Sequence, residues 1–221
     1  GDRPLNAPAT GFSTVRPLPT SVKSARAVWA ADLDADGYPD VLSATSNGDG
    51  VGWFQNLRNG SFARQRPLDP LASVAGPRSI RVADLDRDGH PDCLAAGVLN
   101  HEVAWFRNLD GLGNFSSQQT LTTALQAPHA ALPADLNNDG LPDLVVAGSR
   151  SDAVAWFRNT GALEATNPNS TWSVDPLLLT NSVDEVLSIT AADFDGDGRL
   201  DLASASPYDA TVAWYRNADW L

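Results

Sequence analysis

A nine-residue stretch occurs four times in this chain: Asp32-Leu-Asp34-Ala-Asp36-Gly37-Tyr38-Pro-Asp40, Asp84-Leu-Asp86-Arg-Asp88-Gly89-His90-Pro-Asp92, Asp135-Leu-Asn137-Asn-Asp139-Gly140-Leu141-Pro-Asp143 and Asp193-Phe-Asp195-Gly-Asp197-Gly198-Arg199-Leu-Asp201. Side-chain oxygens at positions 1, 3, 5 and 9 converge on one hard cation only if the chain turns back sharply, and glycine at position 6 permits the turn. Position 7 is Tyr38, His90, Leu141 or Arg199. That indifference to side-chain type suits a ligand supplied by the backbone carbonyl. A set of Asp-Gly turns with solvated acids is the plain alternative. Four copies at one internal spacing favour four Ca²⁺ loops, with Mg²⁺ as the other candidate ion.

The stretch is not an EF-hand. That loop needs a bidentate glutamate at position 12 and flanking helices, whereas position 12 here is Ser43, Ala95, Val146 or Ser204. The flanks are short apolar runs without helical periodicity, so each loop is expected to join two strands.

The loop starts lie 52, 51 and 58 residues apart, in the range of propeller blades. A second motif keeps step with them: Trp53-Phe54-Gln55-Asn56, Trp105-Phe106-Arg107-Asn108, Trp156-Phe157-Arg158-Asn159 and Trp214-Tyr215-Arg216-Asn217, each tryptophan 21 residues after the first loop aspartate. Loop and tryptophan therefore belong to one rigid unit. Within it we expect strand A ending at the alanine before the loop (Ala31, Ala83, Ala134, Ala192), strand B after the loop, strand C with the aromatic pair, and strand D from Phe12, Phe62, Phe115 or Trp172. Neighbouring aromatics on a strand face opposite ways, so both faces of each sheet need cover. A ring of stacked sheets supplies it.

The expected fold is an all-β propeller, one domain over residues 1–221, with four-stranded antiparallel blades at about 24–70, 78–124, 128–180 and 187–217 and residues 11–18 as the strand completing the last. Four blades per chain allow a four-bladed ring, a piece of a longer chain, or an eight-bladed homodimer, the last being favoured. The lack of methionine and the start at Gly1-Asp2-Arg3-Pro4 suggest a processed segment.

The net charge of −12 has a local cause: 15 of the 27 acidic residues lie in the loops, and four divalent ions would leave about −4. Neither a basic patch for nucleic acid nor an eighteen-residue apolar run for a membrane is present. The single cysteine, Cys93, takes a place held by Val41, Leu144 and Leu202 in the other copies and is expected to be a buried hydrophobe. No Ser-His-Asp arrangement, phosphate-cradling loop or general acid and base pair stands out, so an enzyme is not expected.

The Ala-Asp-Leu-Asp-x-Asp-Gly-x-Pro-Asp pattern followed by Trp-Phe-x-Asn resembles the FG-GAP and VCBS repeats of integrin α-chain propellers. That resemblance implies Ca²⁺ at Asp32, Asp34, Asp36 and Asp40 and their counterparts, with carbonyls from Tyr38, His90, Leu141 and Arg199. Asn137 departs from it by removing one charge from the third site. The resemblance implies an extracellular, secreted or cell-surface recognition or adhesion module for a glycan or protein. A non-catalytic domain of a polysaccharide-active enzyme and a structural spacer are the alternatives.

Antiparallel strand order puts the metal loops and the C–D turns at one end of the ring, and the B–C and D–A connections at the other. Sequence varies most at the second end, where ligand contacts are expected from Asn47, Asn100, His101, Arg150 and Tyr208. Three glycosylation sequons, at Asn59, Asn114 and Asn169, fall in equivalent C–D turns.

Overall fold

The computed structural model describes residues 16–19, 23–47, 50–71, 74–161, 172, 176–181 and 184–218. The strands are β1 (Lys23–Ala31), β2 (Asp40–Asn47), β3 (Val51–Phe54), β4 (Arg66–Pro67), β5 (Pro77–Ala83), β6 (Asp92–Gly97), β7 (Glu102–Phe106), β8 (Gln119–Thr122), β9 (Pro128–Ala134), β10 (Asp143–Gly148), β11 (Ala153–Phe157), β12 (Leu177–Thr180), β13 (Ser188–Ala192), β14 (Asp201–Ser206) and β15 (Thr211–Tyr215). They form four antiparallel meanders, β1-β2-β3-β4, β5-β6-β7-β8, β9-β10-β11-β12 and β13-β14-β15. No helix occurs among the described residues. The expected fourth strand of the last sheet, residues 11–18, lies mostly outside the described residues, as do Phe12 and Asn169 and the side chain of Asn47.

The repeated motif sets the register. In every unit the alanine ending strand A pairs with the last loop aspartate: Ala31 with Asp40, Ala83 with Asp92, Ala134 with Asp143 and Ala192 with Asp201. Strand B thus starts at that aspartate. Strand D differs from expectation, because Phe62, Phe115 and Trp172 make isolated bridges to Asn56, Asn108 and Asn159 while the ladder resumes only at Arg66, Gln119 and Leu177. The break is a register shift: from Asn56–Phe62 to Trp53–Arg66, and from Asn108–Phe115 to Trp105–Gln119, strand D advances four residues while strand C advances three, so strand D carries one extra residue as a bulge. The asparagine amide faces the other way, onto the buried loop aspartate, as Asn56 does on Asp40 Oδ1 at 2.7 Å.

Opposite orientation of the aromatic pair builds the core. Phe106 packs with Trp53 between the first two sheets, while Trp105 points the other way and packs with Phe157 between the second and third. Trp156 then meets Tyr215 between the third and fourth. Cys93 is completely buried in the first of these layers, and burial drives its thiol pKa up. β1 packs on β5, β5 on β9 and β9 on β13, and no comparable packing joins the fourth sheet to the first among the described residues. The four blades form an open arc.

Candidate metal centres

Each loop is folded by its own aspartates before any ion is considered. Position 1 accepts amides from across the turn: Asp32 takes the N–H of Asp36 (3.1 Å) and Gly37 (2.8 Å), and Asp84 those of Asp88 (3.1 Å) and Gly89 (2.9 Å). Asp135 and Asp193 receive Gly140 (2.8 Å) and Gly198 (2.9 Å) in the same way. Position 5 accepts the amide of position 7, from Tyr38, His90, Leu141 and Arg199 at 2.8–3.0 Å. The position-6 glycines have φ of +81° to +88°, a region closed to most side chains, which explains their recurrence.

Position 9 is different. Asp40, Asp92, Asp143 and Asp201 have no exposed surface, and each accepts two backbone amides, one from loop position 2 and one from the asparagine after the aromatic pair. They bolt the loop to strand C. Burial raises the pKa of Asp40 and Asp143 to about 6 and of Asp92 to about 7. Asp201, in the fourth sheet where one face lacks a neighbour, is instead lowered, chiefly by the hydrogen bond from the Asn217 amide.

Carboxylate oxygens within 4.8 Å of one another are grouped at Asp32, Asp34 and Asp36, at Asp84, Asp86 and Asp92, and at Asp193, Asp195 and Asp197. In the third loop Asn137 stands where the others have Asp, and its amide donates to Asp139 at 2.9 Å. Oδ1 of Asp34 and Oδ1 of Asp135 are shielded from water and accept no hydrogen bond. A buried acceptor without a donor is costly. An all-oxygen set with such orphaned atoms fits a hard divalent cation, and the flexible geometry of a loop suits Ca²⁺ better than the strict octahedron of Mg²⁺.

Arginines also reach these clusters. Arg107 pairs with Asp86 and Asp88, Arg158 with Asp139 (3.4 Å), Arg216 with Asp195 (2.6 Å) and Arg58 with Asp36 (2.6 Å). Three of the four occupy the residue between aromatic pair and asparagine. In the first unit Gln55 stands there and donates to Asp34 at 2.6 Å.

The opposite end carries the expected ligand residues on equivalent turns: Asn100 and His101 between β6 and β7, Arg150 between β10 and β11, and Tyr208 between β14 and β15. Asn100 donates to Glu102, and His101 Nδ1 accepts the Ala127 amide at 3.0 Å, so both help to shape their turn. Arg150 and Tyr208 are exposed. Asn59 and Asn114 are exposed at the metal-loop end; Asn59 accepts both the amide and the hydroxyl of Ser61.

A family model described as FG-GAP-like repeat matches residues 32–95, 88–146 and 135–204. No curated protein matches the chain significantly. Among solved structures, one described as an Agrocybe aegerita lectin specifically recognising non-reducing terminal N-acetylglucosamine is similar at 16% identity over 83% of this chain, with a TM-score of 0.37. The chain covers 61% of that structure's length.

Proposed function

The chain belongs to the family of FG-GAP-like repeat proteins, and from that premise we propose that it is an extracellular, non-catalytic propeller module. It binds Ca²⁺ at its four loops and a glycan at the opposite turns. The observation that carries the metal reading is the buried, unpartnered oxygen on Asp34, in a loop where oxygens of Asp32, Asp34 and Asp36 lie within 4.8 Å of one another; Asp135 of the third loop has a like unpartnered oxygen. Calcium satisfies those atoms and cancels the repulsion among clustered aspartates. The ions then stiffen one end of the module, and the other end presents turns of differing sequence on a rigid frame. Exposed Tyr208 offers a ring face to the apolar side of a sugar, and Arg150 offers donors to its hydroxyls.

Calorimetric titration of the chelated protein tests the metal reading, with binding near a ratio of four ions per chain expected and no heat of binding refuting it. A glycan array probed with the calcium-loaded protein tests the ligand. Binding that disappears in Tyr208→Ala supports the assignment, and an array without signal overturns it.

A further inference from the structure

Neighbouring loops touch one another through the residue at position 4. That residue is Ala35, Arg87, Asn138 or Gly196, and in each copy it stands at positive φ, +55°, +60°, +54° and +78°. A residue with a β-carbon holds this conformation at a cost. In two of the four copies its side chain leaves its own loop and reaches the next blade. Arg87 donates from Nε to the carbonyl of Gly140 at 2.8 Å and from Nη2 to that of Asp139 at 3.1 Å. Asn138 donates from Nδ2 to the carbonyl of Gly198 at 3.3 Å. The acceptors belong to positions 5 and 6 of the following loop, next to position 7, whose carbonyl is the backbone ligand of the calcium reading.

The junction between the first two loops lacks this contact. Ala35 has no donor to offer, and a β-carbon placed on Gly89 meets nothing within 4 Å, whereas one placed on Gly140 runs into the Arg87 guanidinium. A second contact does cross all three junctions: Asn108, Asn159 and Asn217 donate to the carbonyls of Leu33 (2.9 Å), Leu85 (3.0 Å) and Leu136 (2.8 Å). It therefore does not distinguish one junction from another. Position 4 does, and the loop that receives two bonds from it is the third, whose donor set is poorest because Asn137 replaces a carboxylate.

Resting on the calcium reading above, we propose that Arg87 and Asn138 are positioning residues that relay ion occupancy along the loops. The second, third and fourth sites then fill cooperatively, and the first is tied to the second more loosely. An ion that draws Asp84, Asp86 and Asp88 together fixes the turn from which Arg87 projects. The guanidinium in turn holds the Asp139 and Gly140 carbonyls, and with them the course of the chain into Leu141, before the third site fills. A site whose ligands are already ordered loses less conformational entropy on binding. By linkage the help is reciprocal. The charge of Arg87 opposes a cation in the third loop whether or not the second is filled, so it lowers the affinity of that loop without entering the coupling.

Nitrogen-proton NMR tests the relay, because the amides of Gly37, Gly89, Gly140 and Gly198 give one reporter per loop. Calcium is titrated into the chelated 221-residue chain and into the double variant Asp86→Asn, Asp88→Asn, in which the second site is disabled. The midpoint at Gly140 should rise about fivefold in the double variant, within what a net hydrogen bond contributes, and by less than about twofold when the same comparison is made in an Arg87→Ala background. Both Arg87 and Asn138 are exposed, so these changes leave the core intact. Disabling the first site with Asp34→Asn and Asp36→Asn should move the Gly89 midpoint less, and Ala35→Arg, which sets a donor before the open side of Gly89, should enlarge that shift. A Gly140 midpoint indifferent to the second site, or equally dependent on it in Arg87→Ala, would overturn the relay while leaving calcium binding in place. Failure of the metal reading shows separately, as four glycine amides that calcium does not move, and it removes the relay with it.

Discussion

Asp143 and Asp139 lie in the same loop, and changing each separates the bolt from the ligand. Asp143 Oδ2 accepts the Leu136 amide at 3.2 Å and Oδ1 the Asn159 amide at 2.8 Å, all of it buried. Asp143→Ala leaves two amides inside the fold without an acceptor, at about 1–3 kcal/mol each. Part of that loss is offset, because the burial that raises this carboxyl to about 6 is itself unfavourable to its charge and disappears with it. A net loss of about 2–4 kcal/mol is expected. Asp139 sits on the exposed side of the loop, where its ion pair with Arg158 at 3.4 Å is worth about 0–1 kcal/mol.

Urea unfolding followed by tryptophan fluorescence, once in chelator and once in calcium, reads both roles. Asp143→Ala should lower stability in both conditions. Asp139→Asn should change little in chelator, yet lose in calcium much of a linkage term that reaches about 2.7 kcal/mol when free ion is at 100 times its dissociation constant. If Asp143→Ala stays within about 0.5 kcal/mol of the unaltered protein in chelator, the two amides have another acceptor and position 9 is not a bolt.

Three further outcomes follow from the same geometry. The third loop, with Asn137 in place of a carboxylate, should bind most weakly, and terbium luminescence of chains retaining one intact loop at a time should rank it last; any other rank refutes the charge argument. Arg216→Gln removes a cation that holds Asp195 and Asp197 at 2.6 and 3.6 Å, so the fourth loop should bind calcium up to about fivefold more tightly, the worth of an exposed pair, and unchanged affinity would show that the arginine does not compete. Gly113 has φ +80° and a Cβ there would stand 2.6 Å from the Trp53 ring, so Gly113→Ala should cost about 2 kcal/mol in urea unfolding, and a neutral result would mean that the turn can move off the ring.

The constant spacing made much of this architecture legible. Strand A ends at the alanine and pairs with the last loop aspartate in all four units because the same motif recurs in each, and Trp105 and Phe106 enter different core layers because strand side chains alternate. What spacing could not reveal is which of four similar aspartates is buried. Asp40 and Asp36 read alike along the chain, and they part only when the amide of Asn56 closes on one of them from 16 residues away. That asparagine was the available signal. Asn56, Asn108, Asn159 and Asn217 all stand at the same distance from the buried aspartate, and only a side chain with a donor and an acceptor can both cap its own turn, as Asn108 Oδ1 accepts the Gly111 amide at 3.1 Å, and staple the preceding blade through Nδ2. The arginine partners of the loops were equally visible at Arg107, Arg158 and Arg216 but mean nothing until strand C is laid beside the loop. Burial by a neighbouring blade is a property of the stack, so the tryptophan of this motif is core in three units and exposed in the fourth, where Tyr215 replaces phenylalanine and still packs inward. Trp214 pairs with Ala203 in the same register as Trp53 with Leu42, so its exposure reflects the lack of a covering sheet among the described residues rather than any difference in strand pairing.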